Sequence, residues 1–251
     1  MPLVLITGAS SGIGAATARR FAASGARVVL VARSAAKLSG IADEIGENAV
    51  AIPVDASDAD AVAALGETVL SRFGAPDVLV HCAGAGQMKT VPETTPAEAR
   101  RMMDAPYFAA FNVTHAFLPA MIARDKGVII SVNSPASYVA WPSSVGYNAA
   151  RRALRGFSEA LAQDLAGSGV SSCHAVFGVV SSEYWETNEG AADRIPKLDR
   201  LVPTMTPEHC AAVLTQLARA PRHTSIYPVM LCVLVGFNAL FPRLVRRLLR
   251  L

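Results

Sequence analysis

Residues 3–14 read Leu3-Val4-Leu5-Ile6-Thr7-Gly8-Ala9-Ser10-Ser11-Gly12-Ile13-Gly14: a short apolar run, a glycine-rich turn and the opening of a helix. Glycines at such a turn serve three ends: a tight reversal, close approach of backbone to a pyrophosphate, and close packing of helix on sheet. The helix that follows turns free N–H groups and a positive dipole end towards phosphate. A glycine-rich string alone is a weak sign, since a flexible turn has the same composition. Its place between a strand and a helix makes it a dinucleotide site. Gly8, Ser10, Ser11, Gly12, Ile13 and Gly14 are its predicted residues.

Working outward, apolar runs recur at 3–7, 27–32, 49–54, 77–82, 127–133 and 170–177, with a shorter one near 225–229. Continuous rather than alternating apolar runs predict strands buried on both faces of a parallel sheet. Helical stripes lie between them: Ile13, Thr17 and Phe21, then Ala150, Leu154, Phe157, Leu161 and Leu165. Repeated β–α alternation without a linker predicts one α/β domain over 1–228, a Rossmann-like doubly wound sheet of about seven strands. Residues 181–207, with Pro196, Pro203 and Pro207, read as an excursion from that rhythm, and 229–251 as an apolar, basic extension.

The 251 residues include 23 Lys plus Arg and 20 Asp plus Glu, a formal +3, with 52% hydrophobic and 17% charged. That supplies one sizeable core and excludes a disordered or collagen-like chain. Cys82, Cys173, Cys210 and Cys232 are scattered without C-x-x-C spacing, which argues against a disulfide scaffold and a zinc site. The five histidines likewise show no metal-ligand spacing. Residues 209–251 hold six arginines and no acid, +6, leaving 17 basic against 20 acidic residues, −3, before them. A nucleic-acid binder needs a basic face along its body, so that class is set aside. The N-terminus carries no basic segment or cleavage site and enters a strand at once, so a cytoplasmic protein is expected.

An acidic residue at the end of the second strand usually binds the ribose 2′-hydroxyl of NAD. Here Val31-Ala32-Arg33-Ser34 has none, and a guanidinium at Arg33 suits a 2′-phosphate. NADP(H) is therefore favoured over NAD. Asp55 is placed to accept from the adenine amino group, with loop capping as the rival role. Ala83 and Gly84, small residues ending the fourth strand, let a ribose approach the backbone.

At this point the chain resembles the short-chain dehydrogenase/reductase family over nearly its whole length. The resemblance rests on the Thr7–Gly14 turn, Asp55, Ala83-Gly84, Leu118-Pro119-Ala120-Met121, Ser134 lying 13 residues before Tyr147, and a basic residue four beyond it. It implies that Tyr147 is the general acid or base and that Ser134 orients the substrate carbonyl. A tyrosine serves at neutral pH only beside positive charge, which a lysine supplies in the family. Here residue 151 is Arg151, which keeps the charge but cannot pass a proton onward. The family's water-relay asparagine falls at Pro106, which mid-helix predicts a lost hydrogen bond and a kink. His81-Cys82 and Phe177-Gly178 also depart from the family pattern. The resemblance implies an NADP(H)-dependent oxidoreductase acting on a carbonyl or alcohol. Non-redox chemistry, such as isomerisation or elimination, and a membrane-associated NADP-binding regulatory role are the alternatives.

Tyr138, Trp141, Phe177, Tyr184 and Trp185 are predicted around the substrate, favouring a hydrophobic one. Val229–Phe241 is too short to cross a bilayer core. Residues 242–251 set Leu244, Val245, Leu248 and Leu249 opposite Arg243, Arg246, Arg247 and Arg250, a pattern that fits a membrane interface or equally a cover over the pocket or a subunit contact. The resemblance further implies a homodimer or homotetramer through the long helices near 97–123 and 147–166.

Overall fold

Along Leu3–Thr7 every side chain is buried, and successive residues enter different cores: Val4 and Ile6 on one face, Leu3 and Leu5 on the other. A strand lined with apolar residues on both sides needs a helical layer over each face, and the computed structural model supplies both. It describes residues 1–84, 86–182, 188, 190–196 and 202–249.

Seven parallel strands make the sheet among the described residues. They are β1 (Leu3–Thr7), β2 (Arg27–Ala32), β3 (Ala49–Pro53), β4 (Val78–His81), β5 (Gly127–Asn133), β6 (Val170–Phe177) and β7 (Thr224–Tyr227), in the order β3-β2-β1-β4-β5-β6-β7. One face is covered by α1 (Gly12–Ala23), α2 (Ala35–Ile45) and α7 (Pro207–Arg219), through Phe21, Leu38, Ile41, Leu214 and Leu217. The other is covered by α3 (Ala59–Phe73), α5 (Ala109–Ala123) and α6 (Val145–Asp164), through Leu65, Val113, Phe117, Met121 and Leu161. A short α4 (Pro96–Met103) precedes α5, and α8 (Val229–Leu240) and α9 (Pro242–Leu248) follow β7.

Pro106 does not break its helix. Residues Asp104–Phe108 form a π-helical turn, in which the Ala109 N–H bonds the Asp104 carbonyl five residues back. Widening the ladder there absorbs the missing proline N–H, so α4 runs through to α5 without a loop.

The turn after β1 sets the position of everything at the sheet's C-terminal edge. Gly8 has φ +66°, and a Cβ there would stand 2.7 Å from the Ala83 nitrogen and 2.8 Å from the Cys82 carbonyl. A Cβ on Gly14 would strike the Gly8 carbonyl. The turn thus lies on the end of β4, with α1 drawn in against the turn. Gly14→Ala should cost about 1–3 kcal/mol of overpacking, read as a lower urea midpoint at unchanged m-value. An unaltered midpoint contradicts this packing.

Candidate active site

β1 sends its helix to one face and β4 to the other, so a crevice opens between them at the strands' C-terminal ends. It is the mouth of a cleft of about 1210 Å³. One end holds Arg33, Ser34, Lys37 and Asp55; the middle holds Gly8, Ser10, Ser11, Gly12, Ile13, Gly14, Ala83 and Gly84; beyond them stand Ser134, Tyr147 and Arg151.

At the first end, Asp55 accepts from the Ser57 N–H at 3.0 Å and the Ser57 hydroxyl at 2.7 Å. Partial burial works to raise its carboxyl, but these bonds and the nearby Arg33 charge outweigh it and hold the group below the ordinary carboxylate value. The Asn112 amide holds the same loop to α5 through the Ala56 and Ser57 carbonyls. In the middle, the Ser11 side chain makes no capping bond to the first turn of α1, and that turn has no acidic residue. By contrast, Asp58 caps α3 and Thr95 closes α4 with a capping box. The first-turn N–H groups and positive dipole end of α1 are left to face the cleft.

Tyr147 and Arg151 share one face of α6. The guanidinium carbon lies 5.0 Å from the Tyr147 ring centroid, in cation–π contact. Arg151 Nη1 reaches the Val132 carbonyl at 3.4 Å, and Nη2 stands 2.7 Å from where a Cβ on Gly84 would be. A Cβ on Gly86 would collide with the Tyr147 ring. The small residues after β4 therefore make room for both side chains. The other side of the tyrosine packs on Met88, Ala136, Ala191 and Trp141.

A buried amide connects Ser134 and Arg151. Asn133, at the end of β5, accepts from the Ser134 N–H at 2.9 Å, donates to the Arg151 carbonyl at 3.0 Å, and lies 2.9 Å from His174 Nε2. Both amide protons are thus used, and His174 is the acceptor with its own proton on Nδ1. Burial, the largest cause, and then the Arg155 charge push His174 down to about 4. His81, buried with its Nε2 3.0 Å from Thr114 Oγ1, is also pushed down to about 4 by burial. Burial and Cys210 push the neighbouring Cys82 thiol up, so it is no thiolate nucleophile at neutral pH.

The far end is largely apolar, although Gln87, Glu98, Arg101 and Asp104 also line the cleft. Trp141 and Phe177 line that end with Met88, Val139, Val179 and Val180; α8 and α9 add Leu231, Leu234, Val235, Phe237, Val245 and Leu248, and Leu249 follows just past α9. Arg194 ties the excursion to this wall, bonding the Met88 carbonyl at 3.1 Å and the Glu93 carboxylate through both terminal nitrogens. Tyr138 corrects one expectation, because it is not a lining residue. The 3-10 turn Pro135–Ser137 swings it behind the wall, where its ring lies 3.8 Å from the Arg155 guanidinium carbon and 6.1 Å from the His174 ring. Tyr184 and Trp185 lie outside the described residues. Sequence reasoning passed over Lys37, whose signal is its four-residue spacing from Arg33. It also passed over Asn133 and His174, 41 positions apart and without a local signal.

These residues fit a nicotinamide dinucleotide. The turn clears the backbone for pyrophosphate, the α1 terminus is open to anions, and Arg151 Nε is buried without a hydrogen-bond partner. Fold and site together define a dinucleotide-dependent oxidoreductase. The short chain dehydrogenase family model matches residues 2–192, and the chain belongs to that family. It is 31% identical to a serine 3-dehydrogenase of Agrobacterium fabrum over 225 residues, 89% of this chain and 90% of that protein. It spans about half the length of the mammalian dehydrogenase/reductase SDR family members 7B and 7 that it also matches. Among solved structures it resembles a closed serine dehydrogenase in complex with NADP+, at TM-score 0.82 and 26% identity, covering 91% of this chain and 95% of that one. A 3-ketoacyl-(acyl-carrier-protein) reductase from Brucella melitensis in complex with NADH gives TM-score 0.81 and 28% identity, with 90% and 95% covered.

The buried histidines make stability depend on pH. Their folded values lie below the ordinary 6.5, so the unfolded chain binds protons that the native state refuses. Stability should be full above about pH 6.5 and fall as pH drops towards 4, by on the order of 3 kcal/mol per histidine. Denaturant titrations across that window check the slope. His174→Gln, whose amide oxygen can still accept from Asn133, should remove about half of it.

Proposed function

We propose that the protein is an NADP(H)-dependent oxidoreductase that transfers a hydride between nicotinamide and a hydrophobic carbonyl or alcohol. The observation that carries this reading is one cleft joining an open helix N-terminus, the stacked Tyr147–Arg151 pair beside Ser134, and an apolar far wall. Gly8, Ser10, Ser11, Gly12, Ile13 and Gly14 hold the pyrophosphate, Ala83 and Gly84 border the ribose, and Asp55 takes the adenine amino group. The bound nicotinamide supplies or accepts the hydride at C4.

The chain's own residues handle the proton. Ser134 Oγ donates to the substrate oxygen and orients it, and Tyr147 Oη gives up its proton to that oxygen during reduction or takes one during oxidation. The Arg151 guanidinium, held against the Tyr147 ring, would bond the ribose hydroxyls. In this reading Arg151 stands where the family has lysine and Pro106 where it has asparagine. An arginine cannot pass the proton on, so Tyr147 is replenished directly from water in the cleft.

Arg33 and Lys37, both at the first end, favour NADP(H). The relatives bracket the choice, one serine dehydrogenase being bound to NADP+ and a ketoacyl reductase to NADH. A hydrophobic carbonyl or alcohol suits the wall of Trp141, Phe177 and the α8–α9 residues. Exposed Phe108, Phe111 and Ile122 support a homo-oligomer through α5 and α6. The reading places the protein in the cytoplasm, in peripheral contact with a membrane through 229–251, with nucleic acid excluded as a partner.

Tyr147→Phe should lower NADPH-linked turnover of hydrophobic ketones and aldehydes by about 10²–10⁴ while leaving NADPH affinity nearly unchanged; retained turnover refutes the assignment. Product formed without consumption of NADPH would instead indicate non-redox chemistry. Removing Arg33 and Lys37 together, as alanines, should weaken NADPH binding about 10–100-fold and leave NADH binding unaltered. Equal weakening of both cofactors contradicts the 2′-phosphate role.

A further inference from the structure

α8 has two unlike faces. Its inner side is Leu231, Leu234 and Val235, which line the far end of the cleft, and Asn238, whose amide turns in towards the Tyr138 carbonyl at 3.4 Å. Its outer side is Val229, Met230, Val233, Phe237 and Leu240, each between 38% and 75% exposed, with Cys232, Gly236 and Ala239 between them. No residue of α8 carries a charge. A helix apolar all round belongs inside a large core or in lipid, and the outer side of α8 stays exposed among the described residues.

The chain then bends by 118° into α9. Arg243, Arg246 and Arg247 are exposed there beside exposed Leu244 and Leu248. No single described helix is long and apolar enough to cross a membrane, and the 12 residues of α8 span about 18 Å against a bilayer core of about 30 Å. An apolar face with a cationic rim, carried on helices neither of which is long enough to span alone, is the build of an element lying in the membrane interface. Phe237 and Leu248 add a connection to the cleft, since each lines it and is also exposed, at 38% and 40%.

We infer that α8 and α9 dock the protein on an anionic phospholipid surface, and that a bilayer-dissolved, long-chain carbonyl or alcohol reaches the cleft past Phe237 and Leu248. Charge decides for lipid over a second copy of the chain. No acidic residue follows Glu208, so two copies apposed across this face would set arginine against arginine without a carboxylate from the segment. Anionic headgroups supply the missing counter-charge. The substrate class rests on the oxidoreductase reading; the docking does not.

The test uses the full chain with phosphatidylcholine vesicles, with and without phosphatidylglycerol, carrying a long-chain ketone with a photoreactive diazirine. Co-sedimentation should be about tenfold stronger on the anionic vesicles. It should be lost in Val233→Glu/Leu240→Glu, and only its anionic preference should be lost in Arg246→Glu/Arg247→Glu. Photolabelling within residues 231–235 should fall about fivefold in the Val233/Leu240 variant, while both proteins reduce a short water-soluble aldehyde equally and melt alike. Absence of vesicle binding by the native chain overturns the inference. So does equal labelling of the two proteins, or a native dimer that the Val233/Leu240 variant dissolves. If no aldehyde is reduced by the native chain, the oxidoreductase reading fails, and sedimentation and labelling still decide docking and access.

Discussion

The contact of the β1–α1 turn with the end of β4 is the constraint on which the rest depends. Gly8 lies on the Cys82–Ala83 backbone so closely that no side chain fits, and Gly14 presses back on Gly8. Because β1 and β4 are neighbours that send their helices to opposite faces, this contact sits at the sheet's switch point. It brings the open end of α1 beside the small residues that follow β4. Those residues in turn admit Arg151 and Tyr147 from α6. One tight backbone approach therefore relates the open end of α1 to the Tyr147–Arg151 pair.

A second relation is polar and centred on a buried amide. Asn133 couples the backbone of Ser134 to the backbone of Arg151 and is held by His174 from β6. Only the neutral imidazole can accept from that amide, and burial keeps it neutral. The order of the candidate site and the pH range of the fold therefore draw on the same hydrogen bond. His81, on β4, is neutral for the same reason, so a histidine supports the sheet on each side of β5.

Much of the fold was legible because its signals are local. Continuous apolar runs gave seven strands, since each is buried on both faces, and the glycine turn gave the switch point. What could not be read depends on distant partners or on local backbone freedom. Pro106 predicted a kink, and the chain instead widened one turn, a choice set by the packing of α4 and α5 around it. Tyr138 sits in the expected segment, yet a single 3-10 turn decides that Val139 and Trp141 face the cleft while Tyr138 faces Arg155. Asn133 and His174 look like unremarked strand residues until β5 and β6 pair.

The C-terminal segment was ambiguous for a physical reason. Periodicity identifies the buried side of a helix only when its other side is polar, and α8 is apolar on both. The sequence therefore permits lipid contact and pocket cover as separate readings, with nothing to choose between them. In three dimensions they are not competitors. Leu231 and Leu234 form the cleft wall, while Val233 and Leu240 lie on the opposite side of the same turns. The lack of amphipathicity in α8 matches its two apolar faces, one forming the cleft wall and the other exposed. That leaves orientation to the arginines of α9, the charged groups beside that face, and so separates the work of burial from the work of steering.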